Sequence, residues 1–273
     1  MNRPIGIIDS GVGGLTVVKE IQRQLPKEEL VYIGDTARCP YGPRPVEEVR
    51  RFTWQMIDRL IHQNIKMLVI ACNTATAVVL EEVRETLSIP VVGVIRPGAA
   101  AALKATENEH VAIIGTEGTI KSKAYLHELY KINENITAHS LACPSFVPLV
   151  ERGEYEGFES YQMVKRTLEP LMNKRFDTLI LGCTHYPLLA DVIQKAIGSE
   201  RFLISSGTET AREVSTLLYH NDMLFTGNRT PCHTFYTTGS PNSFTMIANR
   251  WLDTHIDHPL TIHLGENASF FSS

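Results

Sequence analysis

No stretch of the 273-residue chain is apolar for long enough to cross a membrane: runs such as Met67 to Ala71 stop at polar residues after about five positions, against the ~20 that a spanning helix needs. The N-terminus also lacks the charged, then apolar, then small-residue succession of an export signal, because Met1-Asn2-Arg3-Pro4 leads straight into Ile5-Gly6-Ile7-Ile8-Asp9. Cysteine is sparse and unpatterned. Cys39, Cys72, Cys143, Cys183 and Cys232 are odd in number and include no CxxC, so neither a disulfide framework nor a zinc ribbon is indicated. Excess positive charge is missing too: 26 Lys and Arg against 30 Asp and Glu leave a formal net charge of −4, which argues against nucleic acid as the main partner. These absences leave a cytoplasmic protein with reduced thiols and no membrane partner. With 43% hydrophobic and 21% charged residues the chain is of ordinary globular composition, which excludes disordered, collagen-like and coiled-coil classes. Its length fits one large domain or two smaller ones.

Short Val-, Ile- and Leu-rich runs alternate with longer stretches of helical periodicity, the order expected of an α/β fold built around mostly parallel sheet. The expected strands form two sets. The first holds Ile5 to Asp9, Leu30 to Gly34, Met67 to Ala71 and Val91 to Val94, and the second holds Val111 to Gly115, Ala138 to Ala142, Thr178 to Gly182 and Phe202 to Ser205. Helical spacing marks Val46 to Gln63 and Tyr161 to Lys174. Each strand of the second set lies roughly 106 to 112 positions after its counterpart, the mark of an internal duplication. The expected organisation is two similar α/β domains related by a pseudo-two-fold, the first formed by 1–96 with 208–266 and the second by 97–207, followed by a loose tail at 267–273.

The third strands of the two sets correspond most closely. Met67-Leu68-Val69-Ile70-Ala71-Cys72-Asn73-Thr74 and Thr178-Leu179-Ile180-Leu181-Gly182-Cys183-Thr184-His185 both end in a cysteine followed by small polar residues. A single free cysteine is commonly a small buried hydrophobe. Ligands of open α/β sheets, however, sit at the carboxyl ends of strands, and two half-domains facing each other would bring both sulfurs to one cleft. His185 lies two residues after Cys183, which raises the alternative of a thiol nucleophile with an imidazole base. The duplicated cysteine argues instead for a proton leaving one face of a carbon and returning on the other, with one thiolate and one thiol in each turnover.

Other loops offer polar groups to a small ligand. Asp9-Ser10-Gly11-Val12-Gly13-Gly14-Leu15-Thr16 is a glycine-rich turn without the Walker or dinucleotide spacing; its N–H groups suit a carboxylate or a phosphate, or its glycines only permit the turn. Asp9 can steer a proton or hold an ammonium group, and Glu151 is a further candidate for tuning the thiols. Cys39 and Cys143, each followed by proline, read as structural, and Cys232 has no assigned role.

Ile5-Gly6-Ile7-Ile8-Asp9-Ser10-Gly11-Val12-Gly13-Gly14-Leu15, Pro40-Tyr41-Gly42, Ala71-Cys72-Asn73-Thr74-Ala75 and Gly182-Cys183-Thr184-His185-Tyr186-Pro187-Leu188, with Val147-Pro148-Leu149-Val150-Glu151 between the last two, resemble the signature segments of bacterial glutamate racemases, members of the cofactor-independent Asp/Glu racemase family. The resemblance runs from about residue 3 to 266. It implies an active site in the interdomain cleft and interconversion of L- and D-glutamate without pyridoxal phosphate or metal, supplying D-glutamate for peptidoglycan. It implies that Cys72 removes the α-proton of the D enantiomer and Cys183 that of the L enantiomer, with Asp9, Glu151 and His185 assisting. Asp9, Ser10, Tyr41, Gly42, Asn73, Thr74, Thr116, Thr119, Thr184 and His185 would hold the substrate, and the protein would be a homodimer. Two rivals stay open: a related racemase for aspartate or another amino acid, and a non-enzymatic small-molecule-binding protein on the same fold.

Overall fold

The structure is a computed structural model that describes residues 2–252, 256 and 259–265. Parallel strands buried on both faces must be continuously apolar, and the chain supplies such runs at β1 (Ile5–Asp9), β2 (Leu30–Gly34), β3 (Met67–Ile70), β4 (Val91–Gly93), β5 (His110–Gly115) and β7 (Thr178–Gly182). The half-exposed β6 (Thr137–Ala142) and β8 (Phe202–Ser205) lie at sheet edges, and β9 (Thr234–Thr237) and β10 (Leu260–Thr261) complete the set among the described residues. The helices in chain order are α1 (Leu15–Gln24), α2 (Val46–Ile61), α3 (Asn73–Thr86), α4 (Ile95–Ala105), α5 (Glu117–Ser122), α6 (Ala124–Ile132), α7 (Phe146–Glu151), α8 (Phe158–Met172), α9 (Ala190–Ile197), α10 (Ser206–His220) and α11 (Pro241–Trp251). A short 3-10 turn, Tyr186–Leu189, follows β7. Among the described residues no helix is long and apolar enough to cross a membrane.

Two sheets result, one in the order β10-β9-β2-β1-β3-β4 and one in the order β6-β5-β7-β8. Every pairing among the described residues is parallel. The order β2-β1-β3-β4 recurs as β6-β5-β7-β8, so the duplication read in the sequence is also a duplication of topology. The chain passes between the sheets twice, through α4 and again through α10, which packs on both α1 and α4 before β9 and β10 extend the first sheet. At the amino ends of its strands, buried Lys66 meets Glu28 at 2.6 Å and donates to the Met223 carbonyl at 2.7 Å, while Glu28 accepts from Phe225 N–H at 2.8 Å. The return segment after α10 is thereby fixed to the first sheet.

Several boundaries move by one to three residues. The helix expected to reach Gln63 ends at Ile61, where Asn64 takes a left-handed φ of 54°. The helix expected from Tyr161 starts at Phe158, after Gly157 at a φ of +98°, and Ser160 ties its first turn to the Glu154 and Glu156 carbonyls. Strands β3 and β4 each stop one residue earlier than expected, because Ala71 passes into the turn before α3 and Val94 caps α4. Strands β9 and β10 lie outside the two expected sets. The expected tail, 267–273, and residue 266 lie outside the described residues.

Candidate active site

The carboxyl ends of β1, β2 and β3 face those of β5 and β7 across one cavity. Its wall is made by Ser10, Cys39, Pro40, Tyr41, Gly42, Cys72, Asn73, Thr74, Thr116, Val147, Cys183, Thr184 and His185. About 20 Å³ of it is open to the centre of a water molecule, room for little more than one water. Polar bridges from one sheet's unit to the other close it: Thr74 Oγ1 meets Thr116 Oγ1 at 2.8 Å, Tyr125 donates to Asn73 Oδ1 at 2.7 Å, and Gly118 N–H donates to the Gly42 carbonyl at 2.9 Å.

Both sulfurs reach this cavity, and each is 6% exposed. Their supports differ. Cys72 caps α3, its sulfur accepting from Ala75 N–H at 3.5 Å. Burial first and the Asp9 charge next push its thiol up to about 12, against the pull of Ser10 and of that N–H. Cys183 precedes only a short turn and is backed by an imidazole, with Sγ 3.8 Å from His185 Nδ1. The other ring nitrogen, Nε2, lies 2.6 Å from Glu151 Oε1. Burial pulls the His185 pKa down, but hydrogen bonds to Cys183 and Glu151, and their charges, outweigh it and raise it to about 10. At neutral pH the arrangement is a thiol at Cys72 facing a sulfur at Cys183 that has an imidazolium beside it.

Donors surround the pair. Among the described residues no backbone hydrogen bond is made by the N–H of Asn73 or Thr74, at the start of α3, or by those of Tyr41, Gly42, Thr184 and His185. Asn73 Nδ2 is buried without a partner among the described residues, while Tyr125 fixes the other end of its amide. Such a group calls for an acceptor, and a ligand carboxylate would supply one.

Of the residues proposed from the sequence to hold a ligand, Ser10, Tyr41, Gly42, Asn73, Thr74, Thr116, Thr184 and His185 line the cavity. Three expected residues stand behind it. Buried Asp9 accepts from Gly11 N–H at 3.0 Å and from Thr184 Oγ1 at 3.2 Å. Burial raises its pKa, opposed by the His185 charge and these donors. Thr119 bonds the hydroxyls of Thr74 and Thr116, at 3.2 and 3.1 Å. Glu151 reaches the site through His185. The Tyr41 hydroxyl is committed to Asp35 Oδ2 at 2.5 Å, which leaves its backbone N–H for a ligand.

The glycine-rich turn leaves room for the other unit. A Cβ on Gly13 would stand 2.5 Å from His185 Nδ1 and from Thr184 Oγ1. Gly13→Ala is therefore expected to lower the unfolding free energy by about 1–3 kcal/mol in a urea titration, the usual range for an overpacked site. Cys39, read from the sequence as structural, belongs to the cavity wall, whereas Cys143 is buried away from it. The signal for Cys39 was positional, since its loop follows β2, the strand beside β1.

Residues 5–214 match the family model described as Asp/Glu/Hydantoin racemase. The chain belongs to this family. It is 62% identical over 264 residues to a glutamate racemase of Shouchella clausii, covering 97% of this chain and 95% of that one. The crystal structure of a glutamate racemase isoform from Bacillus anthracis superimposes with a TM-score of 0.93 at 50% identity, covering 96% of this chain and 98% of that one. The structure of the Francisella tularensis glutamate racemase in complex with D-glutamate gives 0.91 at 36% identity, covering 97% and 99%.

Proposed function

We propose that the protein is a glutamate racemase, interconverting L- and D-glutamate by proton transfer between Cys72, Cys183 and the α-carbon. The observation that carries this reading is that two cysteines from matching strand ends wall one cavity. The α-proton is weakly acidic beside an ionised carboxylate, so the developing carbanion has to be stabilised by donors set in advance in a dry site. The reading is supported by the N–H groups of Asn73, Thr74 and Thr184, which make no backbone hydrogen bond among the described residues, and by the unpartnered Asn73 amide. On this reading one sulfur, as thiolate, takes the proton from one face while the other, as thiol, returns one to the opposite face. Cys72 then serves the D enantiomer and Cys183 the L enantiomer. Asp9, Glu151 and His185 set the charge around the sulfurs.

An amino acid exceeds the space now open in the cavity, so the two units part to admit it. Residues 1–96 with the segment from 208 are taken as one unit and 97–207 as the other, a division supported by the sheet membership of β9 and β10. The same reading includes a cytoplasmic homodimer whose D-glutamate feeds peptidoglycan; a pair of working thiols fits a reducing compartment.

The test is a racemisation assay read by circular dichroism, with chelator present and no pyridoxal phosphate. D-Glutamate is expected to lose its signal to zero, because the equilibrium constant between enantiomers is one, while aspartate is unchanged. Comparable turnover of aspartate would overturn the substrate assignment.

A further inference from the structure

At the rim of the same cleft, three ligand atoms converge beside the sulfurs that the reaction uses. The Cys39 Sγ, a Glu151 carboxylate oxygen and a ring nitrogen of His185 all lie within 4.8 Å of one another. They come from three places in the fold: the loop after β2, the end of α7 and the turn after β7. His185 Nε2 and Glu151 Oε1 are 2.6 Å apart. Gly11 borders the cluster, where a Cβ would stand 3.0 Å from Cys39 Sγ and 4.0 Å from Glu151 Oε1. Glycine keeps that side open. His185 is 2% exposed, Cys39 is half-buried and the Glu151 side chain is 34% exposed, so the cluster has a polar path to solvent.

We propose that Cys39, Glu151 and His185 form a Zn²⁺ site that bridges the two units and, when filled, shuts the racemase off. One thiolate, one imidazole and one carboxylate are a zinc set; Mg²⁺ and Ca²⁺ prefer oxygen alone. Tetrahedral zinc with bonds of about 2.0–2.3 Å needs its ligand atoms about 3.3–3.7 Å apart. The present separations, from 2.6 to at most 4.8 Å, bracket that range. On binding, the Cys39 thiol and the His185 imidazolium each release a proton to solvent. Glu151 binds through a carboxylate oxygen, and water fills the fourth position.

Cys39 belongs to the unit of the first sheet, Glu151 and His185 to that of the second. The metal thus ties the units together in the closed arrangement, in which the cavity is too small for an amino acid. Zinc and substrate exclude each other. The metal has no part in the racemisation step, and its binding is independent of the activity proposed above; only its effect on rate rests on that reading.

The experiment titrates the intact protein with Zn²⁺, and in parallel with Co²⁺ as a spectroscopic probe of sulfur ligation. Wild type is expected to show a near-ultraviolet sulfur-to-cobalt charge-transfer band that zinc displaces, and zinc is expected to raise KM for glutamate with kcat unchanged, reversibly with chelator. Cys39→Ala and Cys39→Ser should lose the band and bind zinc at least about 100-fold more weakly, beyond the loss seen for a merely supporting partner. Each variant is compared with its own metal-free rate, its far-ultraviolet spectrum reports the fold, and Cys232→Ala should behave as wild type. A cobalt band that survives in both Cys39 variants, or no band in wild type, would overturn the site, and a zinc effect on kcat alone would overturn its exclusion of substrate. An inactive protein that still shows the Cys39-dependent band would sink the racemase reading and leave the metal site standing.

Discussion

Cys72→Ser and Cys183→Ser are each expected to lower kcat/KM for glutamate by about 10³–10⁴-fold, the upper part of the range over which positioned acid–base groups act. A hydroxyl keeps nearly the size of the thiol but is far less acidic, so the proton acceptor is lost while the packing stays. Cys72 also caps α3 through its sulfur, a role that serine fills well, so the far-ultraviolet spectrum should not change. The double variant should be no worse than the more impaired single one, because in the proposed mechanism each turnover needs both sulfurs and their contributions do not add. Steady-state racemisation followed by circular dichroism provides the numbers. If either single variant stayed within about tenfold of wild type, its sulfur would be a wall residue and no base.

His185→Asn is expected to lower kcat/KM by about 10²-fold, equally for L- and D-glutamate. The equality follows from an equilibrium constant of one, which ties the two directions together in every variant even though His185 touches only Cys183. The pH profile separates an electrostatic role from a structural one. With the His185 pKa raised to about 10, the imidazolium persists through neutral pH and is lost as pH rises through that value. Wild-type activity should therefore fall on the alkaline side near pH 10, and this limb should be absent in His185→Asn. Glu151 is one of the groups that raise the pKa, so Glu151→Gln should move the limb to lower pH. The Glu151 side chain is 34% exposed, and solvent screening keeps that movement modest. An unshifted limb in Glu151→Gln would detach Glu151 from the imidazolium.

Much of the fold was legible because parallel sheets bury strands on both faces and so write them as unbroken apolar runs. The strands at Ile5–Asp9, Leu30–Gly34 and Thr178–Gly182 fall where those runs lie. Repetition of the runs implied the repeated strand order, and strand-end position singled out Cys72 and Cys183. What sequence could not supply is what only packing decides. Asp9 and Thr119 were expected against the ligand, yet the first turns onto Gly11 and Thr184 and the second holds the hydroxyls of Thr74 and Thr116 from behind. Glu151 meets His185 across 34 positions, and the Tyr125 bond to Asn73 spans 52, separations at which no local pattern operates. Cys39 was passed over because a proline follows it. Its place beside His185 and Glu151 depends on how the loop after β2 meets α7 from the other unit.

The central claim is that the proton leaves and returns on opposite faces through two separate groups. Racemisation of unlabelled D-glutamate in D₂O, stopped early and read by NMR at the α-carbon, tests it most directly. Two bases predict that the first L-glutamate formed carries deuterium at the α-position while unreacted D-glutamate keeps its proton. Early L-glutamate that retains the original proton would contradict the account, because a single base would then have carried the same proton from one face to the other.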